Sequence, residues 1–147
     1  MADRVAWRRL RGALWPHCSS QKHELEIRQL LKSGGVVFLA QNKRGRVIGF
    51  AEVSLRDDHV DGASICPVPY LEAWFAEARA RKQGIGRSLM EAVEHWALGR
   101  GYIELASDAE LSNTLSIRLH KKLGFAEVDR NVTFLKSLAR CEPAKLD

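Results

Sequence analysis

Hydrophobic and polar positions along the 147-residue chain change period several times, and each change predicts an element. Trp7, Leu10 and Leu14 recur at i, i+3 and i+7, a helical stripe that stops at Pro16. After the capping residues Ser19 and Ser20, the apolar positions Leu25, Ile27, Leu30 and Leu31 predict a second helix, closed by Ser33-Gly34-Gly35. The segment VVFLAQNKRGRVIGFAEVSLR then reads as two β-rich runs around a polar turn at Asn42 to Gly45. That is an antiparallel hairpin, with Gly49 as a candidate bulge.

Arg56 to Pro69 is an acidic, turn-rich loop, and the alternation that follows makes Tyr70 to Phe75 a strand with Glu72 inside it. Ile85, Leu89, Val93 and Trp96 share one helical face, and Gly99 and Gly101 lie where that helix would end. YIELAS reads as a short strand. Leu115, Leu119 and Leu123 predict a further helix, capped by Ser112 or Asn113 and closed by Gly124, and NVTFLKSL reads as the last strand. Strand, basic glycine turn, helix, strand, helix, strand is an α/β order with no repeat or linker, so residues 1–147 are expected to form one domain.

Composition narrows the class. With 46% hydrophobic and 28% charged residues, 11 Gly and 4 Pro, the chain is globular rather than collagenous or disordered. Its longest uncharged apolar run, Val36 to Gln41, is far short of the roughly 20 residues that span a bilayer. The opening MADRVAWRRLRG lacks the apolar stretch of a secretory signal, and a cytoplasmic location is expected. Cys18, Cys66 and Cys141 are odd in number and widely spaced, which argues against a disulfide framework or a metal site and for buried or inert thiols. The net charge of +5 suits an anionic partner, either nucleic acid or a phosphate-bearing small molecule. Lys and Arg are not interleaved with stacking aromatics, however, and no nucleic-acid recognition motif is present.

The stretch RARKQGIGRSLM, Arg79 to Met90, decides where an anion would go. A helix N-terminus offers unpaired N–H groups and the positive end of a macrodipole, and Gly84 and Gly86 keep side chains out of the way. Arg79, Arg81, Lys82 and Arg87 add cations suited to a diphosphate. A phosphate-binding Walker loop fails because Gly86 is followed by Arg87-Ser88. The dinucleotide fingerprint fails because Leu89 or Met90 stands where a third glycine belongs. What matches is R-x-x-G-x-G, Arg81-Lys82-Gln83-Gly84-Ile85-Gly86, after a strand and opening an amphipathic helix. This resembles the acetyl-CoA motif of the GCN5-related N-acetyltransferase (GNAT) superfamily, and NTLSIRLHKKLGF, Asn113 to Phe125, resembles a second element of it. LWP, YLEAWF, ELASD and LHKKLGF are similar to the aminoglycoside 6'-N-acetyltransferases of that superfamily, so the resemblance runs from about Trp7 to Leu138.

The resemblance implies a fold with a central mixed, mostly antiparallel splayed sheet flanked by about four helices. Two departures stand out. The Val-x-Pro that usually precedes the basic turn is Ala76-Glu77-Ala78, and MADRVA shows no trace of the short strand with which relatives begin. Either that first strand is missing or the start is internal.

Amide formation from a thioester needs a neutral amine, a polarised carbonyl and a proton for the departing thiolate. Glu72, an acid inside an apolar strand, is costly there unless it has a partner or a task. The resemblance makes it the base for the amine, directly or through water. It also implies that backbone N–H groups at Trp74, Phe75 and Ala76 polarise the carbonyl, and that Arg81, Lys82, Gln83, Gly84, Ile85, Gly86 and Arg87 hold the diphosphate. Asn113 would contact the pantetheine arm or simply cap its helix. Many relatives have a tyrosine as proton donor where this chain has His120, and NVTFLKSL contains no tyrosine, so His120 or water is left for that role.

For a basic protein to accept a polycation, local acidity must oppose the global charge. Asp57, Asp58 and Asp61 precede the Glu72 strand, Asp108 and Glu110 follow ELAS, and Glu127 and Asp129 follow LGF. Cations gather instead at the glycine turn and at Arg118, Lys121 and Lys122. The resemblance implies that Trp15, His59, Glu72, Asp108 and Asp129 line an aminoglycoside site, with Trp15 as a flat wall for a sugar ring. His23 and His95 read as packing or surface residues. The expected partners are acetyl-CoA and a cationic aminoglycoside, with no metal, nucleic acid or membrane, and a homodimer by analogy with relatives. The competing readings are an acetyltransferase for another polyamine or a protein N-terminus, and a CoA-binding protein without activity.

Overall fold

The computed structural model describes residues 2–138. Two helices, α1 (Ala2–Leu14) and α2 (Ser20–Lys32), precede the hairpin of β1 (Val36–Gln41) and β2 (Val47–Arg56). Then follow β3 (Val68–Ala76), a 3-10 turn at Ala78–Ala80, α3 (Ile85–Gly99), the two-residue β4 (Ala106–Ser107) and α4 (Thr114–Lys122). The sheet order is β1-β2-β3-β4, antiparallel except for the parallel β3–β4 pair. This is the mixed, mostly antiparallel α/β fold expected, and MADRVA lies mostly in α1 rather than in a strand.

The sheet separates two apolar layers. Trp7, Leu10 and Ile27 from α1 and α2 pack on Val47, Phe50 and Ala73 on one face, while Leu89, Met90 and Val93 from α3 pack on Ala51, Val53 and Leu71 on the other. Burying one such large side chain contributes about 1.5–3 kcal/mol, so these two layers hold β2 between them. Ser19 caps α2 by accepting from Lys22 N. Leu25 and Leu31 are exposed, so the buried face of α2 runs through His23 and Ile27 instead. Burial thus gives His23 the packing role, whereas His95 is on the surface.

Two bulges shape the strands. Opposite Ala40 and Gln41, Ile48 is the extra residue, one position before Gly49. Gly49 is needed for close approach, since a Cβ there would lie 2.9 Å from the Phe75 carbonyl oxygen. The second bulge is at Glu72: Glu52 pairs with Ala73 and Val53 with Leu71, leaving Glu72 unpaired. Alternation therefore breaks, and Glu72 and Ala73 both face the α1–α2 side.

The C-terminal third departs most from expectation. Only Ala106 and Ser107 of YIELAS form strand, and residues 126–138, with NVTFLKSL among them, form none. Val132, Phe134, Leu135 and Leu138 are exposed instead of packed. A strand needs a neighbour to receive its N–H and C=O groups, and no strand edge of the described chain meets this segment. Leu115 is likewise exposed on α4. Cys18 is half-buried and Cys66 exposed, with its Sγ 3.4 Å from the Asp57 carbonyl oxygen, so Cys66 is not a buried thiol; Cys141 lies outside the described residues.

Candidate active site

Glu72 opens into a groove of about 390 Å³ that also borders Trp15, Arg11, Glu26, Glu52 and Ser54. The bulge puts the carboxylate there. Ser54 Oγ donates to Glu72 Oε1 at 2.5 Å, and Arg56 reaches both oxygens, Nε to Oε1 at 3.0 Å and Nη2 to Oε2 at 2.8 Å. Glu72 in turn is the main reason the Arg56 guanidinium is held protonated above its ordinary range. Trp15 and Glu72, expected together from the sequence, are thus walls of one groove.

Behind the groove lies a buried polar network. Arg11 donates from Nη1 to Glu52 Oε2 at 2.5 Å and from Nη2 to Glu26, while Trp7 Nε1 donates to Glu52 Oε1 at 2.5 Å. Glu52 is only 2% exposed, and burial pushes its carboxyl above the usual range against the opposing pull of Arg11. The Arg11 guanidinium also lies 4.7 Å from the Trp15 ring centroid, so the network backs the wall of the groove. Neither Arg11 nor Glu52 was among the expected site residues, although both carried a signal. Arg11 extends the Trp7, Leu10, Leu14 stripe at the intervening i+4 position, and Glu52 is an acid inside the apolar run VIGFAEVSL.

β3 leads from Glu72 to the glycine turn. β4 pairs only with Tyr70 and Leu71, so among the described residues one side of β3 has no neighbouring strand from Glu72 onward. Glu77 donates its N–H to Ile48 on β2, so strand alternation turns the N–H groups of Ala76 and Trp74 to the open side and that of Phe75 inward. Arg81 Nε reaches the outward Ala76 carbonyl at 3.1 Å. In the turn Lys82 has φ +62° and Gly84 φ +80°, both left-handed, and α3 starts at once with Ile85. The two glycines do different work. Gly84 has nothing within 4 Å of a Cβ and supplies the backbone conformation, whereas a Cβ on Gly86 would press on Trp74, whose Nε1 donates to the Gly86 carbonyl at 3.0 Å. The N–H groups of Gly84, Ile85, Gly86 and Arg87 belong to the unpaired first turn of α3. Ala78 stands where a proline was expected, and next to it Glu77 anchors the turn by ion pairs to Arg9 at 2.5 Å and Arg46 at 2.9 Å, the Arg9 bond holding its carboxyl below the ordinary range.

His120 lies at the open side of β3, edge-on to Trp74 with ring centroids 5.6 Å apart. Its Nδ1 is 2.8 Å from the Ser116 carbonyl, which can only accept, so Nδ1 carries a proton. Nε2 meets Ser107 Oγ at 3.0 Å, and that hydroxyl is also 3.2 Å from the Leu71 carbonyl. A neutral imidazole accepts from Ser107, and a protonated one donates to it while the hydroxyl turns to Leu71, so either state is satisfied without moving heavy atoms. Asn113 caps α4 by accepting from Ser116 N. Asp108 lies beside Tyr70. Burial first, then the charge and hydrogen bonding of Asp108, push the Tyr70 hydroxyl up to about 12.

The outer acidic residues are less well gathered. The His59 side chain is 86% exposed and meets Asp61 at 3.2 Å, while Asp129 accepts from its neighbour Arg130 N. Neither borders the groove of Glu72. Glu127 is taken by Lys121 at 2.6 Å and by Arg130, whose hydrogen bond is the larger reason that its carboxyl falls to about 2. Glu127 and Lys121 therefore cancel each other instead of serving separate acceptor and cofactor sides. Glu104, not singled out by sequence, holds the loop before β3 by accepting from Ser64 N, Ser64 Oγ and Ile65 N.

A sheet that opens beside a carboxylate and feeds a left-handed glycine turn at a helix start puts an acidic groove and a set of unpaired helix N–H groups along one strand. That combination fits an N-acetyltransferase of the GNAT class. The family profile described as "Acetyltransferase (GNAT) family" matches residues 4–125, and the chain belongs to that family. More particularly, it is 44% identical over 134 residues to an aminoglycoside N(6')-acetyltransferase type 1 of Serratia marcescens, covering 90% of this chain and 92% of the relative. The Stenotrophomonas maltophilia protein of the same name is 40% identical over 133 residues, covering 90% and 86%. Among solved structures, AAC(6')-Iy in complex with the bisubstrate analogue CoA-S-monomethyl-acetylneamine superposes with a TM-score of 0.85 at 34% identity, covering 92% of each chain. Apo AAC(6')-Ig from Acinetobacter haemolyticus does so with 0.84 at 33% identity, covering 94% of each.

Proposed function

We propose that the chain, acting as one domain, transfers the acetyl group of acetyl-CoA to the 6'-amino group of an aminoglycoside by direct transfer in a ternary complex. The observation that carries this reading is the placement of Glu72: a bulge turns it into the groove walled by Trp15, on the same strand that runs into the Gly84 turn. The amine nitrogen attacks the thioester carbon, the C–S bond breaks, and the thiolate of CoA takes up a proton. Glu72 receives the proton of the amine, directly or through water, and the outward N–H groups at Trp74 and Ala76 face the developing oxyanion. Lys82 to Arg87, with Arg81, hold the diphosphate on main-chain N–H groups and cations. Asn113 contacts the pantetheine arm while it caps α4. His120 returns a proton to the thiolate, with Ser107 as its partner.

Trp15 supplies a flat wall to one sugar ring, and Asp108, His59 and Asp129 meet the outlying ammonium groups. The reaction belongs in the cytoplasm, where acetyl-CoA is at hand, and its consequence for the host is resistance to the antibiotic. A homodimer is part of the proposal, supported by the apolar side chains that residues 126–138 leave exposed. The test is acetyl-CoA turnover with kanamycin-like amines, followed by NMR location of the new acetyl group. Acetylation of the 6'-nitrogen is expected. Thiol release with simple polyamines or peptides and none with aminoglycosides would overturn it.

A further inference from the structure

We propose that Arg56 is a positioning residue for the acceptor reaction: its forked contact aims the Glu72 carboxylate so that a single acceptor direction, on Oε2, is left for the incoming amine or its water. The inference rests on the reading of Glu72 as the group that receives the amine.

Each carboxylate oxygen accepts two hydrogen bonds in the plane of the group. Oε1 is filled by Ser54 Oγ at 2.5 Å and Arg56 Nε at 3.0 Å, and one site of Oε2 is filled by Arg56 Nη2 at 2.8 Å. Three of four sites are thereby closed, and the carboxylate cannot rotate without losing all three bonds. Arg56 is itself fixed from behind, its guanidinium carbon lying 3.3 Å from the Tyr70 ring centroid. Tyr70 neighbours Asp108, whose charge also acts on Arg56. The guanidinium thus joins Glu72 on one side to the Tyr70–Asp108 pair on the other. A flexible carboxylate on an unpaired bulge residue becomes a group with one orientation.

Stability alone does not account for this arrangement. The two side chains are 35% and 28% exposed, and ion pairs that open to solvent contribute little to folding. Reaction geometry is more demanding, since a displacement of about 1 Å at a reacting group can cost on the order of a hundredfold in rate. A lysine carries the charge but not the fork and cannot close both oxygens.

The test compares Arg56→Gln, Arg56→Lys, Glu72→Gln and the Arg56→Gln/Glu72→Gln double variant by thermal melting and by steady-state acetylation of a kanamycin-like amine. Arg56→Gln is expected to lower kcat for the amine by about 10- to 100-fold with the KM for acetyl-CoA unchanged. Arg56→Lys is expected to melt like wild type yet stay impaired, and the double variant to be no slower than Glu72→Gln, as expected for residues acting through one another. Full activity in Arg56→Gln or Arg56→Lys, a multiplicative loss in the double variant, or a lower amine KM with undiminished kcat (the mark of a cation that competes for Glu72) would overturn the proposal. Should wild type release no thiol with any amine, the reading of function fails separately. The inference is then decided by a crystal structure of Arg56→Gln, where a Glu72 carboxylate turned away from Ser54 supports it and an unmoved one overturns it.

Discussion

Phe50 and Phe134 sit in stretches of the same kind, GFAEV and VTFLK, each a short run with a phenylalanine at its centre or beside it, a valine and one or two polar residues. Phe50 is 0% exposed and Phe134 is 89% exposed. The difference lies in the surroundings. β2 has a strand on each side, helices above and α3 below, so its alternation meets a surface on both faces. Residues 126–138 touch the body near the loop before β3, where Asn131 Nδ2 reaches Asp61 at 3.3 Å, and pair with no strand among the described residues. Pattern specifies which faces want burial, and it takes a partner surface to bury them.

The largest effect should come from the buried member of that pair. Phe50→Ala is expected to cost about 4 kcal/mol through lost transfer energy and a cavity. At roughly 2–4 °C per kcal/mol for a chain of this size, calorimetry should record a melting point lower by about 8–16 °C.

Next is the polar side of the same layer. Arg11→Met strands the Glu52 carboxylate in the core and is expected to cost about 3 kcal/mol by urea unfolding at neutral pH. Glu52→Gln should cost less, because the buried Arg11 guanidinium that it leaves keeps its ion pair to Glu26. Burial raises the folded-state value of Glu52 above 4.5, so what this group contributes to stability is complete below pH 4.5 and is lost as the pH rises through the raised value. The stability of wild type relative to Glu52→Gln should therefore fall from pH 4 to pH 7, and a flat difference would contradict the assignment.

Phe134→Ser should change the melting of a dilute monomer by no more than about 0.5 kcal/mol, as for other exposed sites. If residues 126–138 are where two copies meet, the same substitution should shift sedimentation from dimer toward monomer. Identical sedimentation would leave this segment without that role and sharpen the contrast with β2.

The smallest expected effect is spectroscopic. Absorbance titration should show a tyrosine ionising at about 12 in wild type, and Asp108→Asn should lower that value, since Asp108 helps to raise it. With the folded value raised from 10.0 to about 12, the contribution of Tyr70 to stability is intact below pH 10 and lost as the pH climbs through 12.

Much of this was legible in the chain. Trp7, Leu10 and Leu14 mark the inner face of α1, the turn at Asn42 to Gly45 sets the hairpin, and Gly84 marks the left-handed entry to α3. Glu72 stood out because an acid within an apolar strand demands a reason. Applied to the neighbouring strand, the same logic finds Glu52. Other features had no local signal. Leu25 and Leu31 read as inner positions of α2, but the face that packs on the sheet runs through His23, Ile27 and Leu30. Asp129 and His59 look like acceptor residues by resemblance, yet their loops leave them away from the Glu72 groove.

Local patterns, because helix and strand periods are properties of consecutive residues, determined by themselves the order of elements from α1 to α4, the glycine turn and the family of the chain. Only the assembled fold decided that Glu72 bulges toward the groove, that Arg56 and Ser54 fill its oxygens and that Arg11 is neutralised by Glu52. It alone left residues 126–138 without a strand partner among the described residues. Those outcomes depend on which distant residues share a few ångströms of space, and spacing along a chain carries no record of that.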